Sequence, residues 1–198
     1  MDAALEDLRA TLLDPAAAAT LEAHGGTDAA VLVALFGEPR HRGLVFTERR
    51  SDLRRHAGEI SFPGGRRDHA DESMLETALR EANEEIGLGP DSVEVLGALP
   101  PVSTVVTGYK VHPLVGVIPE GLDFTPNPAE VAAVLLFRLE ELRAGFGMRR
   151  LIRRGVPIRT PTYLVGDHLV WGATARILRS LLERIDRPSP TSASPPAA

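Results

Sequence analysis

Phe62-Pro63-Gly64-Gly65 and, further on, Arg80-Glu81-Ala82-Asn83-Glu84-Glu85-Ile86-Gly87-Leu88 are the stretches that decide the fold. The first is a glycine turn with a proline stiffening its entry. The second reads as the end of a helix. Ser73-Met74-Leu75-Glu76 is a capping-box signature, with Ser73 as N-cap and Glu76 reaching back to its amide. Gly87 stands where a left-handed residue ends a helix, and Pro90 prevents continuation. Leu75, Leu79, Ala82 and Ile86 follow the helical repeat and predict the core-facing stripe.

Glu81, Glu84 and Glu85 fall at i, i+3 and i+4, neighbours on a different face. Three unpaired acids that close repel one another, and a divalent cation removes the penalty. Mg²⁺ takes one or two carboxylates together with water and substrate phosphate oxygens, so the cluster suggests metal-assisted attack of water on a phosphoanhydride. Glu76 and Arg80, at i and i+4 with the acid first, are in the favourable order for an ion pair, from which Arg80 would brace the cluster. Adjacent glutamates on an amphipathic helix are by themselves most often a solvated face. The upstream double glycine shifts the balance, because it lets the backbone approach an anion or a metal, with the Gly65 carbonyl as a further ligand.

Working outward, Ala3 to Leu21 reads as one or two short amphipathic helices interrupted at Asp14-Pro15 and closed by Gly25-Gly26. Ala29 to Phe36 is a continuous apolar run, the pattern of a buried central strand, and Gly43 to Thr47 looks like its hairpin partner. Arg49 to Gly65 is arginine-rich and is expected to be an ordered loop. Val93 to Leu99 and Tyr109 to Ile118 read as strands, Pro113 placing the second at an edge or a bulge. Glu130 to Phe137 predicts a strand and Arg138 to Leu142 a short helix. Leu151-Ile152, Pro157 to Arg159 and Tyr163 to Val165 are candidate short strands, and Trp171 to Ile185 a helix with one apolar stripe. Strands and helices mix without βαβ alternation, which favours an α/β fold with a mixed sheet packed by helices.

The chain has 198 residues, 43% hydrophobic and 25% charged, enough for one domain with a sizeable core. One domain is expected over 1–187, with 1–26 as its N-terminal helical segment and 188–198 as a disordered Pro/Ser/Ala tail. A formal charge of −5 argues against a nucleic-acid partner. No apolar run is long enough to span a bilayer, and the acidic start lacks the features of a secretory signal. Cysteine is absent, which excludes disulfides, thiolate metal sites and a cysteine nucleophile. A cytoplasmic protein is the expectation, with a homodimer left open. Lys110 is the one lysine, so nearly all positive charge is arginine, suited to bidentate phosphate contacts but equally a trace of genomic base composition.

Gly65 to Leu88 resembles the Nudix box: Gly, five residues, Glu, seven residues, Arg-Glu, an apolar residue, any residue, Glu-Glu, any residue, Gly and an apolar residue. Glu72 stands seven residues before Arg80, and Glu81, Glu84, Glu85, Gly87 and Leu88 fall in place. Six residues rather than five separate Gly65 from Glu72, and the small Ala82 takes an apolar position. Upstream, Thr47-Glu48-Arg49, Arg54, Gly58 and Phe62-Pro63-Gly64-Gly65 resemble the signature of the coenzyme A pyrophosphatase branch. Val45-Phe46 replaces two leucines and Arg50 a Ser or Ala. The longer box spacer is also like that branch, and Trp171 to Ala175 resembles its C-terminal helix start. The resemblance implies the Nudix fold, an α/β/α sandwich around a mixed sheet, with Mg²⁺ or Mn²⁺ held by the box glutamates. It also implies hydrolysis of coenzyme A, or a derivative, to 3′,5′-ADP and 4′-phosphopantetheine.

Within that expectation Glu81 and Glu85 are the main metal ligands, and Glu84 holds a second ion or orients the water. Glu130 is a candidate general base or further ligand, or else an exposed loop acid. Arg49, Arg54, Arg55, Arg66 and Arg67, with His56, gather around the glycine turn as candidates for the substrate phosphates; singly, each is an ordinary surface residue. Phe62 could stack on adenine, though packing in the loop is the better reading. His41, His69, His112 and His168 show no ligand spacing. Ser61 lies outside any nucleophile elbow, and the glycine turn lacks the Gly-Lys-Ser/Thr ending of a Walker loop. Two alternatives stand beside the coenzyme A reading. One is a Nudix hydrolase of ADP-ribose, a dinucleotide or a nucleoside triphosphate. The other is a nucleotide sensor without catalysis, which the complete set of box acids disfavours.

Overall fold

The computed structural model describes residues 2–50, 58–104, 108–153 and 156–187. Two helices open the chain, α1 (Ala3–Thr11) and α2 (Pro15–Ala19), each started by an aspartate. Asp2 accepts from the Leu5 amide at 3.0 Å, and Asp14 accepts from the amides of Ala16 and Ala17, with Pro15 where no amide is needed.

The sheet is built around β1 (Thr27–Phe36), which β2 (Gly43–Arg49) meets antiparallel only at Leu35↔Leu44 and Phe36↔Gly43. Beyond those pairs β1 and β2 take different partners. The expected loop of 49–65 contains two short strands instead: β3 (Ile60–Ser61) pairs with β2, and β4 (Gly64–Arg66) pairs with β1. Composition hid them because β3 has two residues and β4 consists of glycine and arginine alone. Its place in the sheet depends on backbone proximity, which Gly64 alone allows. A Cβ there would stand 2.3 Å from the Ala30 carbonyl oxygen, and its φ is +154°.

The helix α3 (Met74–Ile86) starts on Ser73, whose hydroxyl accepts from the Glu76 amide at 3.1 Å, and ends on Gly87 at φ +69°. The return bond differs from the expected capping box. The Glu76 carboxylate accepts from the Glu72 amide at 2.6 Å, one residue earlier. The stripe is also rotated: Met74, Ala78, Ala82 and Ile86 are buried, whereas Leu75 and Leu79 are half-buried. The helix thus turns its small residues, Ala78 and Ala82, closest to the sheet.

Then come β5 (Glu94–Ala98), β6 (Val102–Ser103) and β7 (Tyr109–Val117). The last is central rather than at an edge, parallel to β1 from Thr27↔Tyr109 to Leu35↔Val117 and antiparallel to β5 and β6. Pro113 is tolerated there because it falls between the ends of two short partners. β5 pairs as far as Ala98↔Leu114, and β6 takes up from Val102↔Val111. The irregularity lies on β5, between Val95 and Gly97. β8 (Val131–Arg138) pairs with β2, and α4 (Leu139–Ala144) follows. The three short candidate strands belong to a longer hairpin, β9 (Phe146–Arg153) and β10 (Val156–Val165), to which β11 (His168–Val170) is added before α5 (Gly172–Ile185).

Both faces of the sheet are covered. Leu32, Ala34 and Phe36 of β1 pack with Ala78, Ala82 and Ile86 of α3, while the alternate Val33 and Leu35 pack with Leu8 of α1 and Ile177, Leu178 and Leu181 of α5. The result is the expected α/β/α sandwich around a mixed sheet. Among the described residues no helix is long and apolar enough to cross a membrane.

Candidate active site

One cleft of about 510 Å³ gathers most of the singled-out residues: Arg49, Gly64, Gly65, Arg66, the three helix glutamates and Glu130. Four segments deliver them. α3 presents Glu81, Glu84 and Glu85, and β4 runs beside it. Arg49 ends β2 where the ladder with β8 slips a residue, Glu48↔Ala133 being followed by Arg49↔Val131. Glu130 is carried by a loop tied to the end of α3, the Asn127 amide donating to the Glu85 carbonyl at 2.8 Å and the Glu130 amide to that of Asn127 at 3.1 Å. Its own carbonyl accepts from the Arg50 amide at 3.1 Å, which joins the loop to β2. Glu130 is an exposed acid, yet it lies close enough to act electrostatically on both Glu81 and Glu85.

The three helix acids are not equivalent. Glu85 is buried, and its carboxylate accepts from the Gly64 amide at 3.0 Å. Burial pushes its pKa up to about 7, aided by Glu81 and Glu130 and opposed by the Gly64 amide and Arg49. Glu81 is half-buried, its pKa also raised, first by desolvation, while Arg80 pulls it down. Glu84 is exposed and ion-paired to Arg80 at 3.1 Å.

Arg80 does brace the cluster, holding Glu81 at 3.0 Å as well, but its anchor is Asp71 and not Glu76. Asp71 is buried. It accepts from Arg80 Nε at 2.9 Å and Nη2 at 3.0 Å, from the Thr77 hydroxyl at 2.9 Å and from the Asp68 amide at 2.8 Å. The Arg80 guanidinium holds the Asp71 carboxyl well below the usual range. Glu72, aligned with the box acid by counting back from Arg80, is exposed. Counting forward from Gly65, five residues lead to Asp71, and that was the signal available in the sequence. Asp71→Asn is expected to lower stability by roughly 1–3 kcal/mol, less than a fully buried pair because Arg80 is partly exposed, and to reduce hydrolysis as Arg80 loses its hold. Urea melts and initial rates check it. Unchanged rates would deny Arg80 its bracing role.

The glycines divide their tasks. The Leu32 amide donates to the Pro63 carbonyl at 2.8 Å, and that of Arg67 to Asp28 at 3.1 Å. Alternation between those ends makes Ala30↔Gly65 a hydrogen-bonded pair, so the Gly65 carbonyl turns into the sheet. Gly64 faces the acids instead, its amide donating to the Glu85 carboxylate, so the Gly65 carbonyl expected as a ligand is engaged in the sheet. Gly65 supplies room: a Cβ there would lie 2.4 Å from the Glu81 carboxylate.

Other expectations shift too. Phe62 is 1% exposed and stacks on Phe46 with centroids 4.6 Å apart, leaving no face for an adenine. Arg67 donates to the Asp71 and Glu72 carbonyls and holds the loop. Arg54, Arg55 and His56 lie outside the described residues, as does the tail 188–198. Glu59, Thr104 and Tyr109 line the cleft, though nothing local in the sequence marked them.

A model of the Nudix domain matches residues 26–155. The chain belongs to the Nudix family. It is 44% identical over 159 residues to the uncharacterized Nudix hydrolase NudL of Citrobacter koseri, covering 79% of this chain and 82% of that protein. The NudL of Escherichia coli O7:K1 is 43% identical over the same shares. Among solved structures, a MutT/nudix family protein from Enterococcus faecalis superposes with a TM-score of 0.55 at 16% identity, covering 93% of this chain and 74% of that one. The MutT protein from Methanosarcina mazei Go1 gives 0.51 at 20% identity, covering 81% and 93%. At such identities the structures bear on the fold alone, and the enzyme class rests on the domain and the relatives: this is a Nudix hydrolase.

Nudix hydrolases generally use divalent cations, and the cleft fits such a group. Five glutamates, Glu59 among them, line the cleft with Arg49 and Arg66, and even with Arg80 paired to Glu81 and Glu84 the acids outnumber the arginines, a balance that repels a diphosphate unless cations intervene. Among the described residues no three acidic or imidazole side chains stand close enough together to hold a metal ion by themselves, so water and substrate oxygens would have to supply the remaining ligands. An open set of carboxylates is the arrangement for Mg²⁺, which keeps waters and takes substrate oxygens.

Proposed function

We propose that this Nudix hydrolase cleaves the diphosphate of coenzyme A or a derivative, releasing 3′,5′-ADP and 4′-phosphopantetheine or its acylated form. The observation that carries the reading is the meeting, in one cleft, of Arg49 from the upstream segment with the box acids on α3. Glu81 and Glu85 would hold Mg²⁺ or Mn²⁺. The cation would neutralise the diphosphate and acidify water. Arg49 and Arg66 would pair with substrate phosphate oxygens. The place of both arginines in the lining of the cleft, beside the box acids, supports this. Glu84 would orient the attacking water and Glu130 accept its proton. The water oxygen bonds to one phosphorus, the bridging P–O bond breaks, and the leaving phosphate takes its electron pair.

Incubation with Mg²⁺ and ¹⁸O-labelled water tests substrate and bond together. Coenzyme A is expected to give the two products, the label residing in one of them. Equal or faster turnover of ADP-ribose, a dinucleotide or a nucleoside triphosphate would replace this reading with the broader one. Arg49→Gln is expected to raise KM for coenzyme A by about ten- to a hundredfold, one charge-assisted contact being worth roughly 1.5–3 kcal/mol.

A further inference from the structure

A second cavity, of about 390 Å³, opens between α1, the turn at Pro39–His41, the start of α4 and the end of α5, and shares no lining residue with the carboxylate cleft. Its largest apolar lining side chains are Leu8, Leu139 and Ile185. Six arginines also line it, against the two acids Asp7 and Glu140. Three of the six are already paired: Arg42 with Asp2 at 2.6 Å, Arg138 with Glu120 at 3.0 Å and Arg143 with Asp186 at 2.7 Å.

The remaining three are Arg40, Arg184 and Arg187. Among the described residues none of them has a carboxylate within ion-pair reach. Arg184 is the telling one. Its Nη1 donates to the carbonyl and hydroxyl of Ser180, at 2.9 and 2.7 Å, one turn back on α5. Its Nε is shut off from solvent with no acceptor. Burial and the neighbouring Arg187 pull its pKa down against a smaller opposing pull from Glu183, so the charge is held where it is poorly solvated. A buried charged donor without an acceptor is costly, so the Arg184 charge is poorly compensated from within the fold.

We propose that this cavity is a second binding site, taking a small organic anion with a phosphate group on an apolar or planar body. The phosphate meets the charges of Arg184, Arg40 and Arg187 that line the cavity, and the body lies over Leu8, Leu139 and Ile185. Three unpaired guanidiniums suit a dianionic phosphate better than a carboxylate. The volume is within the range of small-ligand pockets, at its lower end. The site is independent of which diphosphate the cleft hydrolyses.

The probe is 1-naphthyl phosphate, titrated calorimetrically into the full chain in EDTA so that no cation bridges it to the cleft. One saturable site is expected, equally in wild type and in Glu85→Gln. About tenfold or greater weakening is expected for Arg184→Gln, and similarly for 1-naphthol and 1-naphthoate on wild type. Arg184→Gln should keep wild-type hydrolysis with the site empty, which reports its folding. If it does not fold, the double variant Arg40→Gln/Arg187→Gln, at two exposed positions, carries the same expected loss. Equal affinity in the arginine variants, equal binding of 1-naphthol, loss of binding in Glu85→Gln, or no saturable heat at millimolar probe would each overturn the proposal.

Discussion

Glu85→Gln is expected to cut hydrolysis roughly 10²–10³-fold, the scale at which one fixed electrostatic group is lost from an active site, and yet to raise the melting temperature of the cation-free protein at pH 8. Both effects come from burial. The Glu85 carboxyl has a pKa of about 7 in the folded chain, against an ordinary 4.5. The folded state therefore binds this proton more tightly than the unfolded state does. That favourable term is fully present below the ordinary pKa and is lost as pH rises through about 7. At pH 8 the ionised, buried carboxylate opposes folding by something on the order of 3 kcal/mol. Glutamine has the same shape, can still accept from the Gly64 amide, and carries no charge. A divalent cation relieves the same strain in the wild type, so Mg²⁺ should stabilise the wild type at pH 8 far more than the variant. Thermal melts at pH 5 and pH 8, with EDTA and with Mg²⁺, check this. A variant melting below the wild type at pH 8 in EDTA would mean that Glu85 is not held against its charge.

Alanine at the two neighbouring glycines is expected to separate stability from catalysis. At Gly64 the new Cβ would meet backbone, the Ala30 carbonyl oxygen at 2.3 Å and the Val31 Cα at 2.6 Å, at a φ of +154° that side chains rarely adopt. Neither atom can yield without parting β4 from the central strand, so Gly64→Ala should cost roughly 2–4 kcal/mol. At Gly65 the atoms met are the Glu81 carboxyl carbon and oxygens, at 2.4 to 2.6 Å, the far end of a side chain that can swing away. Gly65→Ala should therefore stay within about 1 kcal/mol of wild-type stability while hydrolysis falls at least tenfold, because Glu81 is moved off its position. Urea denaturation beside kcat/KM resolves the pair. Swapped outcomes would show that the contacts of β4 with β1 and α3 have been misassigned.

The elements that were legible in the chain share one property: their signal repeats within a few residues. The apolar run at 29–36, the caps at Ser73 and Gly87 and the stripe of α5 all met that condition. So did the placement of Glu81, Glu84 and Glu85 along one helix. The features that differ from that reading depended on partners outside their own element. β4 has no strand composition and exists because β1 lies beside it. Pro113 sits in a central strand because two short neighbours end on either side of it. Helical spacing pairs Arg80 with Glu76, whereas the folded loop brings Asp71 to it in a buried and better hydrogen-bonded position.

The amino-acid order alone therefore determined the helix, its acids and the glycine turn before it, because a period of 3.6 residues and the freedom of glycine act locally. Tertiary structure decided which acid is buried enough to have its proton affinity raised, which glycine faces the carboxylates and which aspartate anchors the arginine. It also enclosed Phe62 against Phe46 and brought Arg49 and Glu130 to the same cleft. Burial, hydrogen-bond register and electrostatic proximity are properties of pairs of segments, and the segments that form these pairs lie far apart along the chain.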